Sequence, residues 1–473
     1  MKKNNLYGFS AFNFLKKIFL GAYLPSLLLV FFLALPCGIA HAQNVEASRL
    51  ATIKYGTDTE IANLIQTLKT EKAEYLDEEL AALIETTKNQ KILSGIFSFF
   101  ADREKKGLEE KAIKVIEERN YEANDTVLSA IDYLGKVKAS SAIPTLMELL
   151  DSQERRFMNS ALRAIGQAAS EDKSSADETA EYLVDYYTKK NPGDDNRRDI
   201  IVALGFTGST KGIPFLIDIA GNSDERMPLR IASIEAISKI GDPSGLSVIL
   251  ESAGSSDPNV RSAAVSSLGP FSGDDVDKII LDAFRDSYYR TRIAACQASR
   301  DRKLASAVPF LQYRAERDEV ANVKDEAIRA LGAIANDDAM QAMETLFTER
   351  RTPDRVRILA AEMLMKNAPD KYLGRLIAEL DEAKLRNQTA LYNGFLKIAG
   401  ETVITGEAEG LLSGLARRFL QNGGVIEKLY GLDMAANNGL VGLSQEIIKL
   451  IDERNEAISR RARTTAEKLG IEI

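Results

Sequence analysis

Six cations recur at near-constant spacing through the middle of this 473-residue chain: Arg197, Arg230, Arg261, Arg292, Lys324 and Arg357. Acidic residues run ahead of them in step, as Asp224, Asp257, Asp286, Asp318 and Asp354. Guanidinium and carboxylate groups at a fixed interval support two kinds of chemistry. In one, each Asp caps a helix and each Arg bridges to the neighbouring unit, so the ladder is internal. In the other, the cations line a concave groove and meet an acidic peptide or sugar. Exposed pairs of this kind contribute only about 0–1 kcal/mol each. A second cluster, Tyr288 and Tyr289 with Arg285, Arg290 and Arg292, is the densest aromatic-plus-basic stretch. Tyr and Arg are favoured anchors in protein interfaces, and the stretch also suits a half-buried turn.

Catalytic patterns are sparse. The chain carries one His, His41, and two Cys, Cys37 and Cys296. Downstream of residue 42 no imidazole remains for a Ser-His-Asp triad, a Cys-His pair or a His-rich metal site. Cys296 occupies a place filled by Val265 and Ile328 in neighbouring units, which makes it a small core residue rather than a nucleophile. AGNSDERM (220–227) has a single Gly and no Lys-Ser to follow, so it is not a phosphate loop. No catalytic, metal or cofactor site is assigned, and no cofactor is expected. Carboxylates are abundant, and nothing in the sequence singles out a pair.

The elements that position these side chains emerge from a period. Aligned on Leu134-Gly135, Ile165-Gly166, Leu204-Gly205, Ile237-Ser238, Leu268-Gly269, Ser299-Arg300, Leu331-Gly332 and Leu364-Met365, successive units are 31 to 39 residues apart. A fixed period in this range marks a solenoid of stacked supersecondary units. Five residues before each anchor Gly position stand mostly small residues: Ala130, Ala161, Ile200, Ser233, Ala264, Ala295, Ala327 and Ala360. The next position is apolar in every unit, from Ile131 to Ala361. Together with the Leu/Ile before the anchor this is one helical stripe, and the small residues predict close approach of neighbouring helices. The anchor Gly suits a left-handed C-terminal cap. A companion helix follows each anchor, with Pro144, Pro214 and Pro309 near its start, where a missing N–H costs nothing. The longest interval, between Gly166 and Gly205, holds SEDKSSADET (170–179) and NPGDDNRR (191–198) and reads as a surface loop at one rim.

These features resemble the HEAT-repeat family in its short bacterial form. DPNVRSAAVSSLG and DEVANVKDEAIRALGAI look like its second helix, and the A-[IV]-P-x-L segments like its first. The resemblance implies an all-α, right-handed α-α superhelix of the armadillo type, about ten units long, and family members mostly act as scaffolds or binding surfaces. The expected organisation is a leader over 1–42, an N-terminal helical cap with degenerate units over 43–123, a core array over 124–365, and degenerate repeats with a C-terminal cap over 366–473. Terminal units depart from consensus because they must present a polar face to water.

The leader is read from Lys2, Lys3, Lys16 and Lys17, an apolar run over 18–35, and the small residues Ala40 and Ala42 flanking His41. This is the pattern of a secretory signal peptide cleaved between Ala42 and Gln43. Retention of 18–35 as an anchor, or a lipid on Cys37, are the competing readings. Removing the leader takes away four lysines and no acid, which makes the net charge of −8 still more negative. No nucleic-acid partner is expected from such a balance, and no membrane span in the mature form. The expectation is an exported scaffold of the periplasm or cell envelope, binding a protein or peptide. The alternatives are an enzyme or enzyme-regulating subunit with a carboxylate-based site, and a tethered structural protein. N-terminal sequencing of the exported chain is expected to begin at Gln43; a start at Met1 or a lipid-blocked Cys37 overturns the cleavage.

Overall fold

The computed structural model describes residues 37–190 and 192–472. The basic and apolar parts of the leader lie outside the described residues. The backbone of Ala40, Ala42 and Gln43 belongs to the helix Cys37–Tyr55. Every regular element among the described residues is helical. The chain divides into two compact units, one up to Tyr133 and one from Leu134. In the first, Cys37–Tyr55 packs on Asp58–Glu71, and Asp77–Thr86 on Gln90–Asp102, with Asp58–Glu71 also packed on Gln90–Asp102. In the second, twenty helices from Ile143 to Leu469 alternate as ten pairs. The second helix of each pair packs on the second helix of the next, so these helices form a continuous inner layer.

The period of apolar residues dictates this stacking. All eight residues of the column that starts at Ala130 are fully buried, as are those of the column after it, from Ile131 to Ala361. Cys296 is among them, and burial pushes its thiol far above the ordinary range. Pro144, Pro214 and Pro309 sit in the first turns of Ile143–Asp151, Ile213–Gly221 and Val308–Arg317. A single 3₁₀ turn precedes each of these helices. Two other units start from a polar cap. Asp242 accepts the Ser244 N–H at 2.9 Å, and Asn336 accepts the Ala339 N–H at 2.8 Å.

The anchor glycines do a different job from the cap expected of them. Gly166 and Gly205 lie inside Arg155–Ala169 and Asp194–Thr207, not at the helix ends. The left-handed residues come three positions after the anchor: Lys138, Gly208, Gly241, Lys303 and Ala335. The anchor Gly instead permits contact between adjacent second helices. A Cβ on Gly166 would stand 2.5 Å from the Ala203 carbonyl oxygen, and one on Gly205 would stand 2.9 Å from the Ala236 Cα. The close approach predicted for the small-residue column thus falls on these glycines. The long interval also differs from expectation. Residues 173–190 form an eighteen-residue first helix, and buried Ala180, Leu183, Tyr186 and Tyr187 hold it to its repeat. The extra length is helix, not loop, because the segment has its own apolar stripe.

Replacing Gly by Ala in a helix interior normally stabilises by about 1 kcal/mol. Gly166→Ala is expected to lower the thermal melting midpoint instead, because its methyl group meets a backbone oxygen that cannot step aside. An increase in the midpoint would remove the glycine from its place in repeat packing.

Candidate binding site

The cation column is positioned by the start of each second helix, and its donors turn inward. Arg261 places Nε and Nη2 on the two carboxylate oxygens of Asp286 at 2.9 and 3.1 Å, while Nη1 reaches the Ser255 and Ser256 carbonyls at 2.9 and 3.1 Å. Arg292 repeats this one unit later, with Asp318 at 2.7 and 2.9 Å and the Asp286 and Ser287 carbonyls at 2.9 and 3.2 Å. Each fork joins the turn of its own repeat to the carboxylate of the next. Arg357 keeps the pattern with Glu379 at 2.7 Å and the Phe347 carbonyl at 2.8 Å, and both side chains of that pair are buried. Arg230 and Lys324 make the inward bond to a carbonyl, at 3.1 Å to Ala220 and 3.2 Å to Glu316. Arg197 lies over the Tyr187 ring, 5.4 Å from its centroid.

The carboxylates serve both partners. Asp286 and Asp318 each accept a backbone N–H, from Tyr288 at 2.7 Å and Val320 at 3.0 Å, in addition to the arginine fork. Burial opposes ionisation of Asp318, but the Arg292 fork, the Val320 N–H and Arg314 outweigh it and hold the carboxyl below the usual range. Asp257 caps Pro258–Ser266 through the Asn259 N–H at 2.8 Å. Asp224 and Asp354 do not act as caps: Asp224 sits in an exposed turn, and Asp354 is the first residue of its helix.

The tyrosine cluster sits at the same turn edge. Tyr288 donates to the Asn259 side chain at 3.0 Å, and Tyr289 meets the Tyr288 ring edge-on, 5.4 Å between centroids. Arg290 donates to the Tyr289 hydroxyl at 3.2 Å. The preceding residues, Phe284 and Arg285, lead to a feature that the sequence did not disclose. Phe284 is buried and stacks on Phe310 of the next repeat at 5.6 Å. Arg285 and Arg314 flank a hollow of about 370 Å³ whose remaining lining is Pro309, Phe310 and Tyr313. Tyr313 is 57% exposed. The signal that could have located it is the i, i+3 pair Phe310 and Tyr313, one apolar position more than the first helix needs for its own core.

Two other places hold charge. In the first unit a hollow of about 730 Å³ includes Lys69, Lys72, Asp77, Asp102, Arg103 and Lys105. Its charges are largely matched to one another: Arg103 forks onto Asp77 at 2.5 and 2.9 Å, and Lys69 pairs with Asp102 at 3.3 Å. In the second unit, burial pushes the carboxyls of Asp199 and Glu235 above the usual range, opposed by Arg198 and, for Asp199, also by Arg163. Lys239 lies 3.2 Å from the Phe206 ring centroid, and burial lowers its pKa. No group of three or more His, Cys, Asp or Glu side chains fit to hold a metal comes together among the described residues. Nor is any described helix long and apolar enough to cross a membrane.

Helix pairs stacked through one apolar stripe, with polar chemistry gathered on the turns, define a HEAT-repeat solenoid. The model of the family described as spirochaete HEAT repeat protein matches residues 53–465, and the chain belongs to that family. Among solved structures, the chain is similar to Kap121p, with 13% identity, a TM-score of 0.42, and coverage of 89% of this chain and 53% of that one. It is similar as well to Kap121p bound to Ste12p, at 14% identity and a TM-score of 0.41, covering 89% and 52%. A third is the karyopherin Kap121p bound to the extreme C-terminus of the protein phosphatase Cdc14p, at 14% and 0.43, covering 89% and 53%. The chain thus spans about half the length of these structures. No curated protein matches it.

The carboxylates yield a paired prediction. Asp318→Ala strands Arg292 and is expected to cost about 3–5 kcal/mol at pH 7, as for one half of a buried pair. Because the folded-state pKa of Asp318 is depressed, its contribution is present above the ordinary aspartate pKa and is lost as pH falls through the folded value. The deficit of the variant therefore shrinks in acid. Asp199→Asn is expected to do the reverse: it raises the melting midpoint at pH 7, and the gain fades as pH falls through the raised folded value and is gone below about 3.9, where the unfolded carboxyl is itself protonated. Melts of both variants across pH check the signs, and equal shifts in one direction would contradict them.

Proposed function

We propose that the chain is a non-catalytic scaffold that binds a protein or peptide partner in the cell envelope, after export directed by residues 1–42. The observation that carries the binding reading is the exposed aromatic and cationic surface at Tyr313, Phe310 and Arg285. A repeat that serves only its neighbours has no use for a tyrosine 57% in solvent beside two guanidinium groups. Exposed aromatic and arginine side chains set beside a hollow are the composition of interface anchors. The core thiol is buried among apolar residues, which fits recognition rather than turnover. Family membership supports the same reading, because the repeat stacks into a largely preformed surface.

A carboxylate-based site is the second reading, and Asp199 and Glu235 are where it would start. Perturbed carboxyls of this kind mark functional candidates. Neither hydrogen-bonds to a nucleophile or a base among the described residues.

A photo-crosslinking residue at Tyr313, introduced into cells, is expected to give a discrete protein adduct, whereas the same residue at exposed Lys397 is not. Adducts from Lys397 alone, or from neither position, would remove the binding role from this surface.

A further inference from the structure

A second arginine column runs along the first helices. Arg285, Arg317 and Arg350 stand fifteen positions before the anchors Arg300, Gly332 and Met365, at the C-terminal ends of three successive first helices. These arginines spend their donors unevenly. Arg350 pairs with Glu382 at 2.6 Å. Among the described residues Arg285 approaches a carboxylate only at Asp282, 3.8 Å away, and it lies over the Phe310 ring at 5.4 Å. Arg317 forms no ion pair among the described residues and is exposed. Where Arg261 and Arg292 are saturated by their own chain, Arg285 and Arg317 make no side-chain hydrogen bond among the described residues and are exposed, Arg317 in a hollow it shares with Glu316, Glu349 and Arg351.

The hollow beside them states what would meet those donors. Its floor is Phe310, stacked on the buried Phe284, and Tyr313 and Pro309 form its walls. Both of its charged lining residues, Arg285 and Arg314, are cationic, and no carboxylate lines it. Arg314 is partly committed, at 3.3 Å from Asp318 and 5.2 Å from the Tyr313 ring, which leaves Arg285 as the group with a free fork. A guanidinium laid on an aromatic face presents a preorganised fork that matches a carboxylate. Cation and aromatic floor together favour an acidic side chain whose methylene stem can lie on the rings. Arg317 offers the next cation one repeat further. Neighbouring helices pack about 8–10 Å apart, and an extended peptide in the polyproline II form rises about 3.1 Å per residue with three residues per turn, so its residues i and i+3 share a face. Successive repeats therefore match acidic residues three positions apart.

We propose that this surface binds an extended acidic peptide segment of the partner, with one carboxylate on Arg285 in the Phe310–Tyr313 hollow and another, three residues along, on Arg317. The assignment rests on the scaffold reading and names its partner chemistry.

The probe is a fluorescent twelve-residue peptide with Glu at every third position and Ser between. Its anisotropy is read against the full-length chain freed of its leader, with lysine-for-glutamate and oligothymidine probes alongside. The glutamate peptide is expected to bind, to weaken as salt rises, and to lose at least tenfold in affinity with Arg285→Glu/Arg317→Glu, while that variant melts as wild type does. Arg285→Lys is expected to lose affinity partially, because it keeps the charge without the fork. Tyr313→Ala reports the apolar wall and should weaken binding at unchanged salt dependence. Unchanged affinity in the double variant overturns the proposal, and so does tighter binding of the lysine peptide or of oligothymidine. If the acidic peptide fails while a crosslinker at Tyr313 still captures a protein in cells, the acidic chemistry is wrong and the scaffold reading stands. If both fail, both are wrong.

Discussion

A guanidinium that bonds the turn of its own repeat and the carboxylate of the next is what keeps consecutive units in register along the turn edge. The apolar columns supply most of the burial, but burial is non-directional and does not by itself fix the rotation of one helix pair on another. The fork does, because five donors in a plane accept few arrangements. At Arg261 and Arg292 the carboxylate partner also ends the turn that begins the following second helix. Register and helix initiation are therefore one structural event in this part of the array. Arg357 and Glu379 extend the scheme into the interior, where the pair is desolvated and loss of either partner would leave a buried charge.

The glycines impose the complementary constraint. Second helices approach so closely at Gly166 and Gly205 that no Cβ fits without displacing a neighbour's backbone. Where the anchor is Ser238, the side chain is turned to use, its hydroxyl bonding the Ser267 carbonyl across the interface at 2.8 Å. Where the anchor is Gly269, the helix Pro258–Ser266 has already ended, and a Cβ would meet only Asp301 at 3.6 Å. The second-helix glycines that meet a neighbour's backbone, Gly166 and Gly205, thus lie before residue 240, and the forks of the cation column onto Asp286, Asp318 and Glu379 lie after it.

Legibility in the sequence followed this division. The period, the buried columns and the helix-starting prolines were readable, because each is a repeated local pattern that stacking must preserve. The role of the anchor glycines was not. Glycine serves a left-handed cap and a tight helix contact equally well, and only the neighbour's backbone tells them apart. The capping position three residues later carries Lys138, Lys303 and Ala335 as well as Gly208 and Gly241, so its residue type hid its conformation. The 39-residue interval misled in a similar way. Its polar, Ser-rich start reads as a loop, whereas Ala180, Leu183 and Tyr187 give a helix a face to bury.

The two arginine columns show why a charge pattern in a solenoid does not locate a ligand by itself. Both are periodic, and a sequence ranks the longer one first. Position along the helix pair reverses that ranking. A cation in the first turn of a second helix faces the carbonyl ends of the companion helix and the carboxylate of the next turn, so its own chain reaches it first. A cation at the end of a first helix projects past the last turn, where the partial negative charge of the helix terminus favours it without consuming its donors. Stacking claims the inner cations and, of the outer ones, Arg350 through Glu382 of the next repeat, and it leaves Arg285 and Arg317 exposed. In a fold that grows by adding similar neighbours, the groups able to recognise something else are those whose donors the neighbouring repeat leaves unbonded.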